Sequence, residues 1–246
     1  MSRTERPLPE GRLDGATHFS SDHAESSSDR AYRVIKDAII RGTLAPRITV
    51  SEAQLARRLD MSRTPVHQAV ARLAGDGWVS VAPRSGVQIS DVDADDLSDV
   101  YETLLALEGS AAARLASRKP GPDELDEQLV DACIQCEDAL RDEDLLLWAE
   151  KDNELHNLLL RGCGNRRLWH AATTVAEQAH RARLLTAKLR PWPTSSNEDH
   201  RRIVDAILDR DADEARKALE HHRRRGMATL LPILRAMNPS RTTFIE

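Results

Sequence analysis

Two short helical patterns separated by a tight turn occupy residues 51–74, and they constrain the fold more than any other stretch of the chain. Ser51 is suited to cap the first helix, because Gln54 three residues later completes a capping box. Ser62 is expected to cap the second helix in the same way. One side of the second helix is apolar, and it carries Val66, Ala69, Val70 and Leu73. The opposite side is small and polar, and it carries Thr64, His67, Gln68 and Ala71. Such a helix suits a DNA major groove, although many amphipathic surface helices share the pattern.

A predicted β-hairpin follows these helices. Val79 and Val81 alternate with other residues before a turn over 83–86, and Val87 and Ile89 alternate after it. Alternation of this kind on both sides of a Pro- and Gly-containing turn is typical of a hairpin. A hairpin placed directly after two short helices corresponds to the wing of a winged helix-turn-helix domain.

The charge distribution also separates this segment from the rest of the chain. Residues 31–90 carry nine Lys/Arg and four Asp/Glu, whereas the whole chain has a formal net charge of −5. A basic module in an otherwise acidic chain fits a nucleic-acid-binding domain joined to a domain that does not touch nucleic acid, although ordinary variation between domains gives the same asymmetry.

No membrane-spanning or secretory segment is expected. The longest apolar runs are shorter than the roughly 18 residues that a spanning helix needs. The first residues lack the hydrophobic core of a secretory signal, and three cysteines suit a reducing compartment. The sequence therefore predicts a cytoplasmic location without membrane association.

Helical patterns account for the chain after about residue 95. The apolar spacing predicts helices over about 96–118, 123–141, 143–161, 166–189, 196–209 and 211–235. Short connections between them favour an antiparallel all-α bundle. The predicted fold is therefore mainly α. It comprises a disordered tail over 1–30, a winged helix-turn-helix domain over 31–90, an all-helical domain over 91–236 and a C-terminal tail over 237–246.

An aspartate and three histidines in the helical part are candidates for a metal site. Asp152 and His156 lie one turn apart, and His200 and His222 lie on two other predicted helices. This set of side chains suits a divalent ion if the helices face one another. The spacing alone does not show that they do, and isolated histidines on amphipathic helices are usually surface or core groups. His221 points about 100° away from His222 around the helix and is not expected to share the ion.

Residues 31–90 resemble the DNA-binding domain of GntR-family transcription regulators. The resemblance is carried by Gly42, Leu44-Ala45-Pro46, Ser51-Glu52, Leu55-Ala56, Ser62-Arg63-Thr64-Pro65-Val66, Leu73, Gly77 and Gly86. It implies a homodimer that binds a palindromic operator in double-stranded DNA. The DNA contacts are then expected from Arg33, Arg41, Ser51, Arg63, Thr64, His67, Gln68, Arg72, Arg84, Ser85 and Gly86. His67 replaces the family's usual Arg, which leaves the operator sequence open.

The helical part resembles the FCD ligand-binding domain of the FadR-type branch of the same family. The matching residues are Leu107-Glu108-Gly109, Asp152-x-x-x-His156, Gly164-Asn165, the run from Asp199-His200 to Ile207, and Ala218-Leu219-x-x-His222. The resemblance implies a divalent metal, with zinc or nickel favoured, on Asp152, His156, His200 and His222. It also implies a small carboxylate effector, for which the candidate contacts are Arg181, Arg183, Glu102 and Leu104. Relatives commonly have Arg where this chain has Leu104.

The predicted function is a ligand-responsive transcription regulator, with repression expected. One alternative is direct metal sensing on the same scaffold. Another is a metal-dependent hydrolase fused to a DNA-binding module, for which the sequence places no general base. Cys133-x-x-Cys136 is interpreted as a pair of small core residues, and Arg223-Arg224-Arg225 as a solvated face or dimer rim.

Overall fold

The computed structural model describes residues 25–82, 86–119 and 123–237. They form two compact units, which divide between Asp91 and Val92. The predicted fold class is confirmed: a winged helix-turn-helix unit is followed by an all-helical unit. Most of both predicted tails, and the predicted wing tip at residues 83–85, lie outside the described residues.

The first unit consists of three helices and a small sheet. In chain order these elements are α1 (Ser27–Ile40), β1 (Thr49–Val50), α2 (Glu52–Leu59), α3 (Arg63–Gly75), β2 (Val79–Ala82) and β3 (Gly86–Ile89). The strands are antiparallel in the order β1-β3-β2, and β2 and β3 are the predicted hairpin. The two-residue strand β1 has no predicted counterpart. Helix α1 starts at Ser27, inside the expected tail, because the Ser26 hydroxyl accepts a hydrogen bond from the Asp29 amide and caps it.

The turn between α2 and α3 forms largely as predicted. Ser51 and Gln54 make the reciprocal capping box at the start of α2. Asp60 ends that helix in the left-handed conformation with φ of 54°, which an Asp tolerates better than most residues. Ser62 occupies the N-cap position of α3 but makes no capping hydrogen bond, so its predicted role is wrong in this respect.

The second unit is a bundle of long helices. They are α4 (Ala94–Ala116), α5 (Glu124–Arg141), α6 (Leu145–Gly162), α7 (Arg166–Thr186), α8 (Thr194–Leu208) and α9 (Ala212–Met237). The sequence predicted all of them, with ends that differ by at most three residues. The α6–α7 connection illustrates how local signals set the helix ends. Gly164 takes a φ of +68° after the end of α6. The Asn165 side chain then caps α7 by accepting hydrogen bonds from the amides of Arg167 and Leu168.

Small side chains let these helices approach closely. Many of the buried positions in the bundle are alanines, among them Ala111, Ala112, Ala172, Ala176, Ala179, Ala182, Ala215 and Ala218. Helix α4 packs against α7 and α9, α5 packs against α6 and α8, and α8 packs against α9. This packing brings the inner faces of α6, α8 and α9 together. Among the helices described, none is both long and apolar enough to cross a membrane.

Candidate functional site

The structure brings together the four side chains that the sequence singled out as metal ligands. Asp152 and His156 come from α6, His200 from α8 and His222 from α9. One ligand atom of each side chain lies within 4.8 Å of those of the other three, and all four residues are buried. Helices far apart in sequence therefore converge on one point inside the bundle.

Two of the distances between these atoms match those expected around a single ion. Nε2 of His156 lies 3.1 Å from Nε2 of His222, and Nε2 of His200 lies 3.3 Å from Oδ1 of Asp152. Two ligand atoms bound about 2.1 Å from one ion, at angles of about 90–109°, are about 3.0–3.4 Å apart. Among the described residues, neither ring nitrogen of the buried His200 has a hydrogen-bond partner. Buried polar atoms are rarely left without a partner, and an ion would provide one.

The protonation states also suit metal binding. Burial lowers the pKa of His156 well below its ordinary value and lowers that of His222 to about 4. Both rings are therefore neutral near pH 7 and can offer a lone pair. Burial raises the pKa of Asp152, but Arg183 and the neighbouring histidines outweigh this effect and hold the pKa well below its usual range. The carboxylate is thus ionised.

Two further carboxylates lie behind the histidines. Oε2 of Glu108 is 3.8 Å from Nδ1 of His156, and Oδ2 of Asp199 is 3.6 Å from Nδ1 of His222. Metal-binding histidines commonly direct their second nitrogen at such a carboxylate, which orients the ring. Arg223 holds Glu108 in place by donating to both of its oxygens. The solvated role expected of Arg223 is wrong, because the side chain is only 2% exposed.

A small cavity adjoins the cluster. Its volume of about 10 Å³ is roughly the space of one water molecule. Arg183 lines it, with Nε 2.9 Å from Oδ2 of Asp152, and Arg190 and Trp148 line it as well.

The other candidate effector contacts lie elsewhere. Arg181 is buried but is not among the described residues that line the cavity. Glu102 points outward from α4 and is exposed, whereas Leu104 points inward and is fully buried in the apolar core. Positions 102 and 104 lie on opposite sides of a helix, since two residues turn it by about 200°. Neither Glu102 nor Leu104 is among the described residues that line the cavity, and their role as effector contacts stays a prediction.

In the first unit, the predicted reading face of α3 is exposed. Arg63, Thr64, His67 and Gln68 are all exposed, while Val66, Ala69, Val70 and Leu73 on the other side are buried. Nδ1 of His67 lies 3.0 Å from Oε1 of Glu52 on α2. The front of α3 can therefore reach the edges of bases without unpacking the core.

Several other predicted DNA contacts already have partners within the unit. Arg33 pairs with Glu25, Arg41 with Asp37 and Arg72 with Asp29, and all these side chains are at least partly exposed. Exposed pairs of this kind are weak, so a phosphate can replace the carboxylate.

Of the remaining predicted DNA contacts, Ser51 and Gly86 have structural roles within the first unit. The Ser51 hydroxyl accepts the capping bond of α2. Gly86 has a φ of +87°, and a Cβ there would lie 2.8 Å from the carbonyl oxygen of Val50, so a glycine is required at this point of the sheet. Arg84 and Ser85 lie outside the described residues.

Three residues beside the candidate metal ligands were not predicted as part of the site: Glu108, Asp199 and Arg190. Glu108 interrupts the apolar stripe of α4, and a charged residue at a predicted core position is a usable signal. Asp199 directly precedes the candidate ligand His200, which is a weaker signal of a site residue than the buried charge of Glu108. Arg190 lies after the end of α7 and carries no periodic signal.

The two cysteines of α5 are core residues, as predicted. Burial raises the pKa of Cys133 to about 12, and Cys136 is also buried.

Comparison with known proteins places both units. Residues 27–89 match the bacterial regulatory proteins of the gntR family, and residues 99–225 match the FCD domain. An HTH-type transcriptional regulator of Agrobacterium vitis, from the TAR-I ttuE-ttuC′ intergenic region, is 38% identical over 147 residues, which are 58% of this chain and 86% of that protein. The HTH-type transcriptional repressor RspR of Escherichia coli is 23% identical over 79% of this chain and 85% of its own length. The solved structure of E. coli McbR/YncC superposes with a TM-score of 0.74 at 19% identity, covering 86% of this chain and 98% of that one.

Proposed function

The chain belongs to the GntR family of bacterial transcription regulators and carries an FCD domain, and we propose that it is a homodimeric repressor controlled by a divalent metal and a small carboxylate. Its relatives and fold neighbours are transcription regulators rather than enzymes, which removes the hydrolase alternative. Repression is proposed because the related RspR is a repressor. A cytoplasmic location accompanies the DNA target.

The observation that carries the metal proposal is the buried cluster of Asp152, His156, His200 and His222. Four ligand atoms within 4.8 Å of one another, without enough hydrogen-bond partners among themselves, support a divalent-metal site, and their nitrogen and oxygen donors suit zinc or nickel. When bound, the ion would supply positive charge and a coordination position for a carboxylate.

On the DNA, each α3 of the dimer is proposed to read one half of a palindrome. Arg63, Thr64, His67 and Gln68 face the base edges, and the surrounding arginines hold phosphates. In the helical unit, Arg183 is proposed to bind the effector's carboxylate next to Asp152. The effector acts on DNA affinity only if it binds the DNA-competent and DNA-incompetent dimers with different affinities.

The test combines metal analysis with DNA titration. The purified protein is stripped with a chelator, reconstituted with zinc or nickel, and assayed for metal per subunit by elemental analysis. Operator DNA, found by selection from a genomic library, is then titrated with and without small carboxylic acids. Metal uptake together with acid-dependent release of DNA supports the proposal. A reconstituted protein without metal, or DNA binding that no acid alters, contradicts it.

Direct metal sensing is a second candidate, and the small cavity favours it. A volume of about 10 Å³ admits an ion or a water but no organic acid without a rearrangement. In this case the metal alone changes DNA affinity. Titration of DNA with the stripped and the metal-loaded protein, in the absence of any acid, distinguishes the two candidates.

A further inference from the structure

Two arginines beside the ligand cluster carry buried N–H groups without acceptors. Within the part of the chain that the structure describes, Nε and Nη1 of Arg183 and of Arg190 make no hydrogen bond. The Nε atom of Arg183 is 2.9 Å from Oδ2 of Asp152, but the N–H is not directed at that oxygen. A buried guanidinium donor without a partner is costly and rare in folded proteins. These groups therefore point to an acceptor that is not part of the chain.

Other charges around the cluster are compensated by the protein itself. Arg223 donates to both oxygens of Glu108, and Arg225 lies 3.3 Å from Oδ2 of Asp199. Arg183 has Asp152 as its neighbouring carboxylate.

Arg190 differs from these arginines. No carboxylate of the described residues lies within ion-pair distance of it, and its guanidinium instead stacks over Trp148 at 4.8 Å from the ring centroid. Burial lowers the pKa of Arg190, and the attraction of Asp152 only partly opposes this. Arg190 thus places a positive charge in the cavity wall, and no nearby carboxylate of the described residues neutralises that charge.

The two arginines are suitably placed for the two ends of one small molecule. Seven positions separate them, which is about two helical turns on the same face. The Arg190 amide donates to the carbonyl of Thr186, so the helical path of α7 continues to this residue. Both side chains line the same cavity. Arg183 lies against the ligand cluster, and Arg190 lies just after the C-terminal end of α7.

We propose that the effector is a small dicarboxylate, with one carboxylate held by Arg183 beside the metal ligands and the other by Arg190. This inference rests on the proposed function, because it names the chemical class of the effector for the same site. Binding requires the cavity to widen, and Arg190 is its less buried arginine: it stacks on Trp148 and is only partly buried, whereas Arg183 is fully buried against Asp152.

The test compares diacids with their half-amides, which have nearly the same shape but one charge fewer. Malonate, succinate and glutarate, each with its monoamide, are titrated by calorimetry into the zinc-reconstituted full-length protein. At least one diacid is expected to bind about ten-fold or more tightly than its half-amide, since a charge-assisted hydrogen bond is lost with the second carboxylate. Arg190→Met is expected to abolish this preference, because diacid affinity falls more than half-amide affinity, and Arg190→Lys to restore part of it.

Arg224→Met is the matched control, because that side chain is 60% exposed on α9 and pairs with Glu220. It should bind the diacids as the wild type does. Equal affinity for diacid and half-amide in the wild type overturns the inference, and so does a preference that survives Arg190→Met. If no diacid binds, the inference fails as well. DNA titration of the same samples then shows whether the proposed function fails with it: release of DNA by a half-amide or a monocarboxylate leaves that function intact.

Discussion

Nε2 of His156 and Nε2 of His222 face each other at 3.1 Å across the bundle, although 66 positions separate the two residues in the chain. Two neutral imidazole lone pairs at this distance repel unless a proton or an ion lies between them. The arrangement gives α9 a direct connection to α6 through any bound metal.

His222→Ala is expected to lose the metal, because it removes one of four ligands from a buried site. An ion at about 100 times its Kd stabilises the fold by about 2.7 kcal/mol, and this contribution should vanish with the ligand. Elemental analysis and thermal unfolding of the reconstituted variants measure both effects. His221→Ala is the control, because His221 is 54% exposed and bonded to Arg225. Metal loss in His221→Ala with retention in His222→Ala would show that the assignment is off by one residue.

Breaking the Glu108–Arg223 pair is expected to destabilise the helical unit strongly. Both side chains are almost fully buried, so Glu108→Leu or Arg223→Met leaves one charge without its partner, at a cost of about 3–5 kcal/mol. The double variant Glu108→Leu with Arg223→Met should cost less than the sum of the single variants. Urea unfolding of the four proteins gives the coupling energy. Additive effects would show that the pair does not act as a unit.

Asp126 joins three segments of the helical unit, and its effect on stability should depend on pH. Arg210 and Arg118 donate to its carboxylate, and together they lower its pKa against the opposing effect of burial. Asp126→Asn is expected to cost about 1.5–3 kcal/mol at pH 7. Because the pKa is lower in the folded state, this stabilisation is complete above the unfolded value of about 3.9 and disappears as the pH falls through the folded value.

Urea unfolding of wild type and Asp126→Asn at pH 7 and pH 3 measures this difference. The gap between the two proteins should be smaller at pH 3. Asp131→Asn, on the exposed side of the same helix, should show little effect at either pH. A gap that stays constant with pH would exclude the carboxylate's charge as its cause.

Arg63→Ala is expected to weaken operator binding without affecting the fold. Arg63 is exposed at the start of α3, and loss of a base contact there should cost about 1–3 kcal/mol. Gel-shift titration at matched salt measures the change. Arg224→Ala, in the helical unit, should bind DNA like the wild type. Unchanged affinity in Arg63→Ala would show that α3 does not read DNA through this residue.

The sequence by itself determined most of the helices and the hairpin, because their signals are local. The capping box of Ser51 and Gln54, the cap at Asn165 and the apolar spacing of each helix all act within a few residues, and all appear in the structure. The spacing of Asp152 and His156 also placed both on one face of a helix. A match of motifs along the chain was sufficient to recognise the family.

Only the tertiary structure decided what surrounds the cluster. Glu108 meets Arg223 across 115 positions, and the run of three arginines does not show locally that one of them has a buried carboxylate partner while Arg224 beside it is exposed. The choice follows from close packing of alanine-lined faces of α4 and α9, which turns one side chain inward and the next outward. For the same reason Leu104 is a core residue, and Arg190, which has no periodic signal, lines the cavity. The burial of His222, which lowers its pKa and keeps the ring neutral, arises only when the helices of the bundle pack together.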